Sequence, residues 1–499
     1  MKRKIIQFDN LSLIRKKLNA KKIVLCHGVF DVSHFGHIKH LQAAKEIGDI
    51  LIVSISSDKF VNKGPGRPFF KLDKRLETIS ALGCVDFVVE SSYPDALTII
   101  KSLKPEFYCK GIEYKKFKDD ITGKILKEKK AIESHNGKIV YTNEEVYSSS
   151  KLIKDNINFH TLQNKFLRKN LNMFSFEDVN KILDNFKKLN ILLIGEAIID
   201  EYIFCDPVGK SGKESVLVFK ELKSEKFIGG SLAIANTLAN FCKSVTLITN
   251  IGEKKELLPF IKKKLKKNIK LKIIYKKNSP TIIKKRFVDN IDNRKILGVY
   301  SINSDHLDNK HENNLNKMII NSSKQNDLVV VSDYGHGLIS KKTSNVISKI
   351  KKFKSLNAQL NSFNIGDHSL QKYPSVESIV INESELRHEL RNQIDNIELL
   401  MLGLLKKINF RYLIVTKGKD GAILLDAKIN KFFTIPAFGA NVKDKIGAGD
   451  NMLSLVSMAI YNKNDLNLSL LLGSIASAYS VSTIANKDII SRENILKTL

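Results

Sequence analysis

Paired cysteines are missing from this sequence. The five it has (Cys26, Cys84, Cys109, Cys205 and Cys242) lie far apart and include no C-x-x-C. An odd, scattered set argues against a disulfide framework and against a zinc site, and it fits a reducing, cytoplasmic setting. Long apolar runs are missing too. The basic start, MKRKIIQFDN, is interrupted by Asp9 and Asn10 before it could read as a signal peptide. Residues 466–486 carry no charge but are diluted by Ser, Gly, Ala and Asn. That composition predicts a buried core helix, because a membrane span needs about 20 predominantly apolar residues. Acidic residues are scarce: 52 Asp and Glu stand against 82 Lys and Arg, for a formal charge of +30. Such an excess raises nucleic acid or an anionic membrane as a partner. The lysines, however, are spread along the whole length, and the dense runs at 262–267 and 284–286 have no interleaved aromatics on which bases could stack. The charge is therefore read as suiting phosphorylated small molecules, with no nucleic acid and no membrane.

What is present is enough for large cores. With 499 residues, 43% of them hydrophobic and 27% charged, the chain predicts two or three globular domains. An apolar run at 22–26, a helical pattern at 38–47 and a second run at 50–55 form a strand–helix–strand unit, the mark of a parallel sheet. Further strands are expected at 84–89 and 139–141. The stretch 156–189 is polar and helical, with Ser175 and Asp178 spaced as a capping box, and reads as a connector. A second series of strands follows at 191, 245–248, 328–331, 379–381 and 413–415. The prediction is α/β throughout: a domain over 1–155, a helical connector over 156–189 and a larger α/β domain over 190–499.

Two motifs carry chemistry. The first is GVFDVSHFGH, Gly28 to His37, set between a strand and a helix. His34 and His37 are three apart, so at a helix start they share one face. Gly36 allows a phosphate close to the backbone at the positive end of the helix. Imidazoles there can donate to phosphate oxygens and stabilise the charge of an in-line displacement. A pair of surface histidines at a helix cap is the plainer alternative.

The H-x-G-H pattern after G-x-F-D resembles the nucleotidyltransferase superfamily that includes glycerol-phosphate cytidylyltransferases and heptose-phosphate adenylyltransferases. Lys63 to Pro68 (KGPGRP), Arg75, Lys110 with Gly111, and Ser148, Ser149 and Ser150 before Lys151 follow in the family's order. The resemblance spans about residues 20–155 and implies a Rossmann-like domain. It implies that His34 and His37 act at the α-phosphate of a nucleoside triphosphate. Gly28, Phe30, Lys63 and the three serines would bind the nucleotide, and Asp31, Arg75 and Lys110 the substrate, with Lys63, Arg75 and Lys110 neutralising phosphates. A charged stretch from Tyr114 to Gly137 exceeds what a minimal heptose enzyme would need.

The second motif is DKIGAGD, Asp444 to Asp450, before an apolar helical run. Glycines before a helix offer free N–H groups to a transferring phosphoryl group, and a carboxylate beside them can take a hydroxyl proton. A plain capping turn is the alternative. Gly195 to Asp200, Gly229 and Gly230 before Asn236, DYGHG at 333–337, Asn382 to Glu385, and Thr416 to Gly418 complete an order similar to the ribokinase family of sugar kinases, over about 190–499. That resemblance implies a ribokinase-like α/β fold with Asp450 as base and Gly447, Ala448 and Gly449 as anion hole. Asp200, Gly229, Gly230 and Asn236 would touch the sugar, and Arg286 would reach a phosphate already on it. Lys417 and Gly418 would line the nucleotide site, and Asn382 and Glu385 would organise Mg²⁺ indirectly. Lys445 and Ile446 depart from the small residues usual in that loop.

Together the halves resemble bifunctional heptose-activating enzymes with the domain order reversed. The resemblance implies ATP and Mg²⁺, with CTP as an option for nucleotidyl transfer, and sugar phosphates and nucleoside triphosphates as partners. A homodimer is a possible assembly. A sugar-nucleotide sensor with one inactive domain, or an enzyme of another sugar or polyol phosphate, stays open as an alternative.

Overall fold

A computed structural model of the chain describes residues 4–61, 67–111, 125–142, 176–291, 294–361, 363–439, 442–485 and 487–498. Two compact units are present, Met1–Asn164 and Lys165–Lys497. Lys63, Ser148, Ser149, Ser150 and most of the expected connector lie outside the described residues.

In the first unit, six parallel strands form one sheet: β1 (Ile5–Ile6), β2 (Ile23–Gly28), β3 (Ile50–Ser56), β4 (Phe87–Ser91), β5 (Phe107–Gly111) and β6 (Lys138–Thr142), in the order β1-β4-β3-β2-β5-β6. Apolar side chains fill both faces, as a sheet covered by helices requires. The chain winds outward in opposite directions from β2 and β5. The crevice above the carboxyl ends of those two neighbours is thus the switch point at which open α/β sheets bind ligands. The helix after β2 spans Phe35–Glu46 and starts three residues earlier than its apolar pattern, because His34 caps it.

The second unit carries a nine-stranded sheet: β7 (Asn190–Gly195), β10 (Ser244–Gly252), β11 (Ile269–Lys276), β14 (Leu328–Asp333), β15 (Phe353–Ala358), β16 (Ser378–Asn382), β17 (Tyr412–Thr416), β18 (Ala422–Asp426) and β19 (Lys431–Ile435). Its order is β11-β10-β7-β14-β15-β16-β17-β18-β19, parallel as far as β17 and antiparallel beyond. A separate four-stranded sheet joins β8 (Ala197–Lys210), β9 (Leu217–Gly230), β12 (Ile282–Asp289) and β13 (Lys295–Ser301), in the order β13-β12-β8-β9. Sequence patterning missed this sheet. Its outer stretches are charged and solvent-facing, so they lack the continuous apolar run of a core strand.

The uncharged stretch forms the helix Leu466–Val481, buried along most of its length, and no helix of the described residues is long and apolar enough to cross a membrane. The helix Phe176–Phe186 packs Val179, Leu183 and Phe186 into the core of the second unit. This end of the expected connector is thus part of that unit's core.

Candidate functional site

In the first unit, β2 ends at Gly28 and the chain turns through Phe30, which sits at φ +49° and is nearly fully buried. The turn brings the Phe30 ring to 5.4 Å from that of His37. His34 is the N-cap of the next helix, and its Nδ1 accepts the Gly36 N–H at 3.1 Å. The Nδ1 of His37 accepts the His34 N–H at 3.4 Å. The two rings lie 4.0 Å apart. Because each Nδ1 is an acceptor, each ring in its neutral form carries its proton on Nε2, which for His34 is buried. Two N–H donors at the start of a helix suit the oxygens of a phosphate.

The neighbouring polar residues are committed to the fold. Asp31 is buried and binds Arg67 Nε at 2.5 Å and the Phe70 N–H at 2.9 Å, so it anchors residues 67–70. Arg75, expected to neutralise phosphate, is 1% exposed. Its guanidinium donates to Val29 O at 2.6 Å, to Phe70 O at 3.0 Å and to Asp58 at 2.6 Å. All three nitrogens are engaged, which makes the side chain a brace under the Gly28–His37 turn. Lys110, at the end of β5, lies 3.4 Å from Glu128 and over the Tyr108 ring.

In the second unit, Gly447 caps the helix Ala448–Tyr461 at φ +85°, a conformation that glycine adopts without strain. A Cβ on Gly449 would meet nothing within 4 Å, so space lies open in front of the helix start. Asp450 sits in the first turn, half-buried, and accepts the Tyr334 hydroxyl at 2.9 Å. Loss of water pushes its carboxyl up to about 6, and Asp200 adds to the rise while Tyr334 and Lys284 oppose it. Asp200 on β8 is ion-paired to Arg286 on β12. Gly229 lies against it so closely that a Cβ there would fall 2.1 Å from Asp200 Oδ2. Gly230 turns the chain at φ +54° into the next helix.

Lys284 is a residue the sequence reading passed over as part of a basic run. Alternation along β12 buries Lys284 and Arg286 on one face, with the Tyr300 ring beside both. Burial lowers the Lys284 ammonium pKa, against the pull of Asp200, Glu196 and Asp450. The period-2 spacing of two cations in a strand was the available signal.

Three further expectations meet different surroundings. The Asn236 amide donates to Lys264 O at 2.9 Å and accepts the Lys266 N–H at 3.1 Å. Both its polar ends serve that backbone. Asn382 and Glu385 form a reciprocal capping box, each side chain accepting the other's N–H at 2.8 Å. The Glu385 carboxyl is pushed up to about 7, chiefly by burial and also by the charge of Asp450. Lys417 and Gly418 occupy the turn after β17, Gly418 at φ +58°. Asp444 was read only as the start of the loop motif. It is buried and accepts from the Tyr202 hydroxyl and from Lys295, both at 2.5 Å, which ties the loop to the four-stranded sheet. Ile446 packs into the small apolar cluster of Tyr202, Phe204 and Val288, while Lys445 is exposed.

Residues 188–488, more than half of the chain, match the model of the pfkB family carbohydrate kinases. The chain belongs to that family. It is accordingly a transferase, and residues 25–155 add a match to the cytidylyltransferase-like family model. The pfkB unit shares its fold with a ribokinase from Giardia lamblia (TM-score 0.50, 17% identity, 62% of this chain and 100% of that one). It likewise resembles the phosphofructokinase-2 from Escherichia coli in complex with potassium (TM-score 0.50, 13% identity, 62% and 98%). Among curated proteins, the chain is 41% identical over 138 residues to the bifunctional protein HldE of Campylobacter fetus, covering 27% of this chain and 30% of that protein. The corresponding protein of Helicobacter pylori is 36% identical over 153 residues, 30% of this chain and 31% of that one. The matched stretch thus spans about a third of the length of these curated relatives.

Proposed function

We propose that the chain makes a nucleotide-activated sugar in two steps at two sites. The pfkB unit, residues 190–499, transfers the γ-phosphoryl group of ATP to the anomeric hydroxyl of a sugar phosphate resembling heptose 7-phosphate. The first domain, residues 1–155, joins a nucleotidyl group from ATP, or CTP, to the resulting sugar 1-phosphate and releases pyrophosphate. The observation that carries the kinase reading is Asp450. It is a carboxylate at the start of a glycine-capped helix with open space in front, its pKa raised toward neutrality. A base in that position takes the hydroxyl proton as the oxygen attacks, while the N–H groups of Gly447 to Gly449 receive the phosphoryl oxygens. Asp200, fixed by Arg286, holds sugar hydroxyls, and Lys284 balances the added negative charge.

Phosphoryl transfer between polyanions calls for Mg²⁺, which screens phosphate charge when bound. The donor set fits a hard cation. Glu385 is a buried carboxylate whose proton affinity the charge of Asp450 raises further, so it would hold a hard cation that supplies positive charge against the phosphates. Asn382 orients Glu385 through the capping box. In the first domain the Nε2–H groups of His34 and His37 hold the α-phosphate oxygens as their charge grows, and no protein nucleophile is needed. The reading places the enzyme in the cytoplasm, in keeping with cysteines that are all free thiols.

The test is release of ADP and pyrophosphate by the full chain with Mg²⁺, heptose 7-phosphate, a C7 phosphatase, and ATP or CTP in turn. Equal ADP and pyrophosphate with ATP alone is expected. Pyrophosphate only after CTP is added would make the first domain a cytidylyltransferase. Silence with heptose and hexose phosphates alike would overturn the proposed substrate class.

A further inference from the structure

The first unit holds a cluster that neither proposed reaction uses. Cys26 on β2 and Cys109 on β5 are direct partners in the parallel register, although 83 positions separate them in sequence. Their side chains are 0% and 1% exposed. Over them lies His40, on the helix that begins with His34 and His37. One ligand atom from each of the three residues lies within 4.8 Å of the other two. Strand register, which sequence spacing does not reveal, has gathered two thiols and an imidazole behind the switch-point crevice.

We propose that Cys26, Cys109 and His40 bind a thiophilic divalent cation, zinc being the chemical match. Two sulfurs and one nitrogen form a soft donor set that favours zinc over magnesium or calcium. Tetrahedral zinc, with bonds of about 2.3 Å to sulfur and 2.0 Å to nitrogen, places its ligands roughly 3.5–3.8 Å apart. The cluster therefore needs to contract by about 1.3 Å at most, within reach of small side-chain rotations. The two thiolates formed on binding cancel the charge of the ion, which suits a buried position.

The histidine is already prepared. Its Nδ1 lies 2.7 Å from Thr142 Oγ1, and that hydroxyl donates onward to Lys110 O at 3.4 Å. Thr142 therefore accepts from Nδ1–H, which leaves the lone pair on Nε2 for a metal, as a partner hydrogen bond does for a zinc-bound histidine. Lys110 opposes a cation here, but Glu128 at 3.4 Å offsets its charge. Three protein ligands leave a fourth position open. A bound ion would join β2, β5 and the histidine-bearing helix at one point, and so fix the donors of the proposed transferase site.

The test uses the full chain, reduced, metal-free and under anaerobic conditions, titrated with Co²⁺ and then Zn²⁺. Stoichiometric Co²⁺ should give thiolate-to-cobalt charge-transfer absorption and tetrahedral d–d bands, and stoichiometric Zn²⁺ should bleach both. Cys109→Ser and His40→Gln should lose the bands while Cys84→Ser and Cys242→Ser keep them. Circular dichroism and thermal melts establish that the variants are folded, and half-buried His40 is the substitution least disruptive to the core. No charge-transfer band in the folded parent, or an unchanged band in His40→Gln and Cys109→Ser, would overturn the proposal.

Discussion

Replacing Asp450 by Asn removes one proton acceptor and leaves the shape of the side chain nearly unchanged. A positioned general base contributes roughly 10²–10⁴ to rate, so ADP release should fall by about that factor while pyrophosphate release from supplied sugar 1-phosphate persists. The same carboxyl sets the pH dependence. With its pKa near 6, roughly a quarter is ionised at pH 5.5 and nearly all at pH 7.5, so parent turnover should fall about fourfold across that interval. Stability should move the other way. A carboxyl raised from 3.8 to about 6 makes the folded state bind protons more tightly than the unfolded state. Its ionised form is therefore a cost to folding that is absent below pH 3.8, grows across that window and is complete above pH 6. Two units correspond to at most about 3 kcal/mol, and water reaching the half-buried group reduces this to about 1 kcal/mol. Asp450→Asn should thus melt about 2 °C higher at pH 7.5 and no higher near pH 4. The assays are coupled ADP release and scanning calorimetry at both pH values. A variant within tenfold of parent kinase activity, or a parent rate flat from pH 7.5 to 5, would refute the role given to this carboxylate.

Other sites give further expectations. His37→Ala should abolish most pyrophosphate release and leave ADP release intact; loss of both activities together would point to misfolding. Gly229→Ala forces a methyl onto the Asp200 carboxylate at 2.1 Å, so the Asp200–Arg286 pair must shift and KM for the sugar phosphate should rise. Unchanged kinetics would remove Asp200 from the sugar site. Arg75→Met leaves Val29 O, Phe70 O and Asp58 without their donor, and a loss of about 2 kcal/mol in the first unit is expected from the two unpaired carbonyls, since the exposed Asp58 carboxylate rehydrates. Denaturant melts of the full chain would measure it, and a melt matching the parent's would refute the bracing role.

The sequence by itself determined the local structures that chemistry needs. A strand, the turn at Gly28 to Phe30 and the helix capped by His34 are all readable from adjacent residues, because capping, turn conformation and apolar period act over a few positions. The glycine-capped helix start that carries Asp450 is local in the same sense. Tertiary structure alone decided which polar groups are committed to the fold. Nothing near Arg75 in sequence shows that Val29 and Asp58 will occupy its guanidinium, nor that the Asn236 amide will hold the backbone at 264–266. It also decided that Lys284 faces Asp200 and that Cys26 lies beside Cys109, since both follow from the pairing of strands distant in the chain. Residue type and spacing fix what a side chain can do. Strand register and burial, set by the packing of the whole core, fix what it meets.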